Sequence, residues 1–288
     1  TDLFVSEPLD GRLTSLATCG ADICASTTPW STGLMQPVRA VVTDLDRDGL
    51  RDVVVSDIGS LWPTNATVGR VMWLRNDSTT WVPQVVLDGV GRVACAEPGD
   101  VDGDEDVDLV TCVFGNSTGE LAWLEHVPGQ GFAAHTLRAS AGSIHAFPRD
   151  FDRDGDLDVA AVFAQDLQTV FLYRGDGHGG FAEEVVFAAG EPDYGMSGIE
   201  PADVDSVADL DLLLTNGDYV DEANPDPIAL GAVHGLAWLE NDGHGVFARH
   251  DVMRVLGAYA TRAGDLDGDC DVDLVLGTLR IGSLLPAG

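Results

Sequence analysis

The stretch Asp150-Phe151-Asp152-Arg153-Asp154-Gly155-Asp156-Leu157-Asp158, followed at once by Val159-Ala160-Ala161-Val162, decides how the rest of the chain is read. Near-copies of this acidic nonapeptide stand at Asp44–Asp52, Asp100–Asp108, Asp203–Asp211 and Asp265–Asp273. Carboxylates at positions 1, 3, 5 and 9, with a backbone carbonyl at position 7, supply the oxygen-rich shell that a hard cation such as Ca²⁺ requires. Like charges this close repel, and a bound cation relieves the repulsion. One such run reads equally well as a solvated acidic turn; five copies in one phase do not.

The loop differs from an EF-hand. Position 12, where that motif needs a bidentate Glu, holds Val55, Thr111, Ala161, Leu214 and Leu276. Each motif also runs into an aliphatic segment (Val53-Val54-Val55, Leu109-Val110, Leu212-Leu213-Leu214 and Leu274-Val275-Leu276 in the other copies), which reads as a buried strand rather than a helix. The expected metal ligands are Asp44, Asp46, Asp48 and Asp52; Asp100, Asp102, Asp104 and Asp108; Asp150, Asp152, Asp154 and Asp158; and Asp265, Asp267, Asp269 and Asp273. The fourth copy has Val207 at position 5, so Asp203, Asp205 and Asp211 form a weaker or metal-free site, which leaves about four Ca²⁺ sites. Glu105 and Cys270 stand where a turn glycine is expected, which puts the turn geometry of those two copies in question.

Successive motifs start 56, 50, 53 and 62 residues apart, a period that marks a propeller or solenoid. A second signal follows each of the first four: Val71-Met-Trp-Leu-Arg-Asn76, Leu121-Ala-Trp-Leu-Glu-His126, Val170-Phe-Leu-Tyr-Arg-Gly175 and Leu236-Ala-Trp-Leu-Glu-Asn241. A turn and an aromatic (Trp81, Phe132, Phe181, Phe247) come next. The unit reads as strand, acidic loop, strand, connection, strand, hairpin, strand, which is one blade of a β-propeller. These units resemble FG-GAP/VCBS-type repeats, the calcium-loop blades also found in integrin α-subunit propellers and in bacterial secreted proteins. The resemblance covers about residues 36–282 and implies a fold more than an activity.

The expectation is therefore an all-β fold: one β-propeller domain over 1–288, of four-stranded antiparallel blades, most simply five, with repeats starting near 36, 92, 142, 195 and 257. Residues 1–35 supply a closing strand around Leu3-Phe4-Val5, paired with the last blade, plus a loop insertion.

Composition narrows the function. The net charge is −33, and half of the 48 acidic residues lie in the five loops. All 15 basic residues are Arg, and no basic face suited to phosphate is evident, so nucleic acid is not an expected partner. No apolar run is long enough for a transmembrane helix. A start at Thr1 fits a processed chain. Cys95 and Cys112 lie about equally far from the turn near Asp104 and either pair across a hairpin or stay as buried free thiols; Cys19 and Cys24, in the insertion, carry the same two readings, and Cys270 is left over. Two disulfides would suit a secreted, periplasmic or cell-surface setting; Asn-x-Ser/Thr matches at Asn65, Asn76 and Asn116 are too short to add weight.

The acidic loops join first and second strands, so the variable 2–3 connections lie at the opposite end of each blade. Ligand-binding candidates there are Asp57, Trp62, Arg92, Gln165, Asn216, Asp218 and His234, beside Tyr194, Tyr219 and Asp221. Aromatic rings beside carboxylates and amides suit a glycan, and equally a protein loop. On the first strands, Glu97, Glu200 and Arg262 are placed to meet near an axis, with Arg39 and His145 a layer away; the plain reading is mutual charge pairing. The favoured function is non-catalytic binding of a glycan or protein partner. A lyase-like polysaccharide enzyme using His145, Arg262 and a glutamate is one alternative, and a subunit of a larger surface assembly is another.

Overall fold

The computed structural model describes the backbone of residues 3–19, 22–30, 33–191, 194–218 and 234–279, and the side chains of 6–14 and of those ranges from 33 onward. Two compact units divide between Pro148 and Arg149. The first holds β1 (Leu3–Glu7), β2 (Arg12–Cys19), β3 (Asp22–Trp30), β4 (Pro37–Thr43), β5 (Asp52–Asp57), β6 (Gly69–Asn76), β7 (Trp81–Val90), β8 (Val93–Gly99), β9 (Asp108–Val113), β10 (Glu120–Val127), β11 (Gly131–Arg138) and, up to the division, β12 (Ser143–Arg149). The second holds β13 (Asp158–Phe163), β14 (Thr169–Gly175), β15 (Phe181–Ala188), β16 (Met196–Ala202), β17 (Asp211–Asn216), β18 (Gly235–Asn241), β19 (Phe247–Arg254), β20 (Ala258–Gly264) and β21 (Asp273–Thr278).

The architecture is all-β, with meandering sheets of four antiparallel strands, β4-β5-β6-β7, β8-β9-β10-β11 and β16-β17-β18-β19, as a β-propeller requires. In the second unit β13, β14 and β15 pair in the same order, and β20 pairs with β21. The unit read from the sequence is thus the observed one: each acidic loop links the first and second strands of a sheet, and the aromatic after the third strand opens the fourth.

The aliphatic run after each of the first four acidic loops is explained by burial on both faces; the run after the fifth, expected to be a buried strand, lies in β21, where Val275 is exposed among the described residues. In β5, Val54 faces a core with Leu45, Val71, Trp73, Val93, Leu109 and Leu124, shared with the neighbouring sheet of the same unit. Val53 and Val55 face the other way, onto Leu13, Leu34, Met72 and Leu74. A strand covered on both sides has no solvent face to alternate with, so it reads as a continuous apolar run. Leu13 and Leu34 show that the N-terminal segment packs on this second face of the first repeat's sheet. Leu3–Val5, expected to pair in the last blade, lie in β1, which pairs antiparallel with β2.

Cys95 and Cys112 face each other in the β8–β9 register, with Cα atoms 4.9 Å apart, and form a disulfide. Cys270 is a free, exposed thiol. The side chains of Cys19 and Cys24 lie outside the described residues, as do Tyr219 and Asp221. Among the described residues no helix is long and apolar enough to cross a membrane.

Candidate functional site

The five acidic loops share one backbone. Position 4 is left-handed in every copy (Arg47 φ 55°, Gly103 74°, Arg153 62°, Ser206 63°, Gly268 84°), and so is position 6 (Gly49 88°, Glu105 72°, Gly155 100°, Ala208 69°, Cys270 71°). Glu105 and Cys270 therefore do not change the turn; they adopt its glycine conformation at a cost. A left-handed L-residue costs roughly 1–2 kcal/mol, and glycine returns about 0.5–1 kcal/mol of that as unfolded-state entropy. Glu105→Gly is expected to stabilise the chain by about 0.5–1 kcal/mol. A urea-melt midpoint equal to or below wild type would refute this.

The same geometry gathers the carboxylates. Oxygens of Asp44, Asp46 and Asp48; of Asp100, Asp102 and Asp108; of Asp150, Asp152 and Asp158; of Asp203, Asp205 and Asp209; and of Asp265, Asp267 and Asp269 lie within 4.8 Å of one another in each group. Position 1 is oriented by the turn: one oxygen accepts the position-6 N–H, from Gly49 to Asp44 at 3.0 Å, Glu105 to Asp100 at 3.2 Å and Ala208 to Asp203 at 3.0 Å. In these three loops the other oxygen, Oδ1, is buried and has no hydrogen-bond partner. A buried carboxylate oxygen with no donor is costly unless a cation meets it, so the donor set fits a hard divalent cation. Asp209, at position 7 of the fourth loop, joins its cluster through a side chain where the motif needs only a carbonyl; the sequence reading did not count it.

Position 9 has a different task. Both oxygens of Asp52 accept backbone N–H groups, from Leu45 at 3.1 Å and Asn76 at 2.8 Å. Asp108 does the same with Val101 at 2.9 Å and His126 at 2.8 Å. Asp158 takes Phe151 at 3.1 Å and Gly175 at 3.0 Å, and Asp211 takes Val204 at 3.0 Å and Asn241 at 2.8 Å. This aspartate clamps its loop to the third strand. All four are completely buried. Burial pushes the Asp108 and Asp158 carboxyls up to about 6, and raises Asp52 and Asp211, although the N–H donors pull the other way. In the fifth copy Asp273 accepts Leu266 N–H at 2.9 Å, on a loop whose Asp265, Asp267 and Asp269 are exposed.

Several candidates at the other end of the sheets serve their own loops. Asp57, expected on the ligand face, is fully buried: its oxygens accept N–H from Met35 at 2.8 Å and Gln36 at 2.6 Å, and Arg70 adds Nε and Nη2, each at 2.9 Å. It fastens the segment before β4. Arg92 is buried, lies 4.6 Å from the Phe114 ring centroid and donates to the Leu61 carbonyl at 3.5 Å. The Gln165 carbonyl accepts from Gln168 at 2.8 Å, Asn216 donates to the Tyr194 carbonyl at 3.3 Å, and Asp218 N–H donates to the Gly195 carbonyl at 3.0 Å. The His234 imidazole is buried with no hydrogen-bond partner among the described residues, and burial lowers its pKa, while its carbonyl accepts from Val255 N–H at 3.2 Å. His145 meets Phe147 edge-on.

Trp62 differs from these: it is 66% exposed. Its loop is held by Leu61 N–H to Gln36 at 2.6 Å, and by a reciprocal pair in which Asn65 donates to the Ser117 hydroxyl at 2.8 Å and Ser117 N–H to Asn65 at 2.9 Å.

The first-strand charges pair within each unit. Arg39 bonds Glu97 and lies over Phe147; Arg262 bonds Glu200 at 2.8 Å. Arg75 and Arg174, which lie within the third-strand signal, reach the acidic loops from β6 and β14.

A family model described as FG-GAP-like repeat matches residues 44–111 and 150–214. Each segment begins at the first aspartate of one acidic loop and runs through the next, so the two take in four of the five copies. No curated protein matches the chain. These two segments are similar to FG-GAP-like repeats, and the sheets of four antiparallel strands around them are consistent with a β-propeller.

Proposed function

We propose that this chain is a calcium-stabilised, extracellular β-propeller scaffold of five blades that binds a glycan or protein partner through the ends of its sheets remote from the acidic loops. The observation that carries the calcium reading is the loop series itself, in which Asp44, Asp100 and Asp203 each keep a buried carboxylate oxygen without a donor. Ca²⁺ would be held by the clustered carboxylates: positions 1 and 3 in every loop, joined by position 5 in the first and fifth, position 9 in the second and third and position 7 in the fourth. The metal would supply charge neutralisation and rigidity.

Partner binding rests on Trp62. An indole held two-thirds exposed on a pinned loop offers a rigid apolar face at little entropic cost, the usual anchor for sugar C–H faces or for a partner side chain. The disulfide suits an oxidising compartment, as do the repeats.

Glycan arrays and pull-downs with the calcium-loaded chain test the binding reading. The expected result is a ligand whose retention drops about tenfold or more in Trp62→Ala, the loss of one anchor of at least ~1.4 kcal/mol. No ligand in either format would sink it.

A further inference from the structure

The residue just before the third-strand donor to the position-9 aspartate alternates in charge along the chain. It is Arg75, Glu125, Arg174 and Glu240, one place before Asn76, His126, Gly175 and Asn241. Strand register gives the same equivalence: Arg75 lies opposite Val82, Glu125 opposite Ala133, Arg174 opposite Ala182 and Glu240 opposite Ala248.

In the first and third repeats the guanidinium sits on the acidic loop. Arg75 bonds Asp46 through Nε and reaches Asp48 at 3.4 Å. Arg174 bonds Asp152 at 2.6 Å and is braced by Glu184 at 2.9 Å and by the carbonyls of His244 and Gly245 at 3.0 and 3.2 Å. Asp46 and Asp152 are both position 3, inside the clustered carboxylate groups. In the second and fourth repeats the carboxylate bonds a histidine across the hairpin: Glu125 with His135 at 2.7 Å and Glu240 with His250 at 2.6 Å. Trp123 and Trp238 lie against those histidines, at centroid separations of 4.5 and 5.0 Å. The second loop contains no basic residue.

We propose that this third-strand position sets the cation affinity of the loop beneath it: Arg75 and Arg174 are internal counter-ions that compete with calcium in the first and third loops, and Glu125 leaves the second loop as the tightest of the three. The proposal rests on the calcium reading above. A guanidinium stays charged at any working pH, so a divalent ion entering beside Asp46 or Asp152 meets a fixed positive charge or must displace it. In return, these two loops have their like-charge repulsion partly cancelled without metal. The second loop has no such substitute and depends on the ion. Calcium then fills the chain in stages, the second loop first.

Calorimetric titration of the calcium-free full chain with CaCl₂ tests this. Removing one contact charge is expected to change a site's affinity by about tenfold or more. Arg75→Gln and Arg174→Gln should each convert one weak site into a tighter one, and Glu125→Gln should weaken the tightest. Arg75→Lys, which keeps the charge, should stay within about threefold of wild type. In calcium-free buffer Arg75→Gln should also melt below wild type, because the first loop loses its counter-ion. Calcium binding with constants unmoved in both arginine variants overturns this proposal alone, as does an equal gain in the Lys and Gln variants. No calcium binding by the wild-type chain overturns the calcium reading and this proposal with it.

Discussion

Chelating calcium is expected to lower the melting temperature of the whole chain, and to do so more at neutral pH than at pH 5. A ligand that binds only the folded state adds RT ln(1 + [L]/Kd), about 2.7 kcal/mol per site at one hundred times Kd. Several filled loops therefore contribute more than any one side chain in the molecule. The pH dependence follows from Asp108 and Asp158, whose folded carboxyls lie near 6 against 3.8 unfolded. For an acid shifted upward, the folded state holds the extra proton between those values. Its contribution is fully present below the unfolded pKa and is lost as pH rises through about 6. The calcium-free chain should thus melt higher at pH 5 than at pH 7.5, and its net charge of −33 acts in the same direction. With calcium present the order reverses, because protons compete with the ion for its ligands. Scanning calorimetry at the two pH values, with and without calcium, reads all four states. Identical melting with and without the ion at pH 7.5 rules out a structural metal.

Asp108→Ala should cost about 2–4 kcal/mol even in calcium-free buffer, since it leaves the buried N–H groups of Val101 and His126 without an acceptor, each worth roughly 1–3 kcal/mol. Asp104→Ala in the same loop should stay within about 0.5 kcal/mol under those conditions. Asp104 is exposed, and its carboxylate accepts from Asp106 N–H at 2.8 Å; its own N–H bond to Asp102, at 3.3 Å, is from the backbone and survives the substitution. Adding calcium should separate the pair again: Asp104→Ala loses part of the calcium-dependent gain. Urea melts of both variants with and without the ion check this. Equal costs in calcium-free buffer would mean that position 9 does not act as a clamp.

Much of this fold was legible in the chain. The period of the acidic motif, the Trp-Leu-x-Asn/His signal and the aromatic after each turn specified four-strand units, and the observed sheets follow them strand by strand. The Cys95–Cys112 pairing was also legible, because a hairpin centred near Asp104 leaves two equidistant residues facing each other. Asp57 was misread. On paper it is a carboxylate at the end of a strand beside a long loop; in the structure Met35 and Gln36, more than 20 residues earlier, consume it. Division of labour inside the acidic loop was equally invisible, since nine residues written in a row do not say which carboxylate faces inward.

What the sequence by itself determined is local and periodic: a nonapeptide with a turn at its sixth position, aliphatic runs of strand length and the spacing that repeats them. These follow from backbone sterics and burial pattern, which short stretches of chain encode. Only the tertiary structure decided which charges neutralise which. Arg75 lies 29 residues from Asp46 and Arg174 lies 22 from Asp152. Such pairs exist only once the third strand is laid against the loop, because a Coulomb interaction depends on distance in space and is indifferent to distance along the chain.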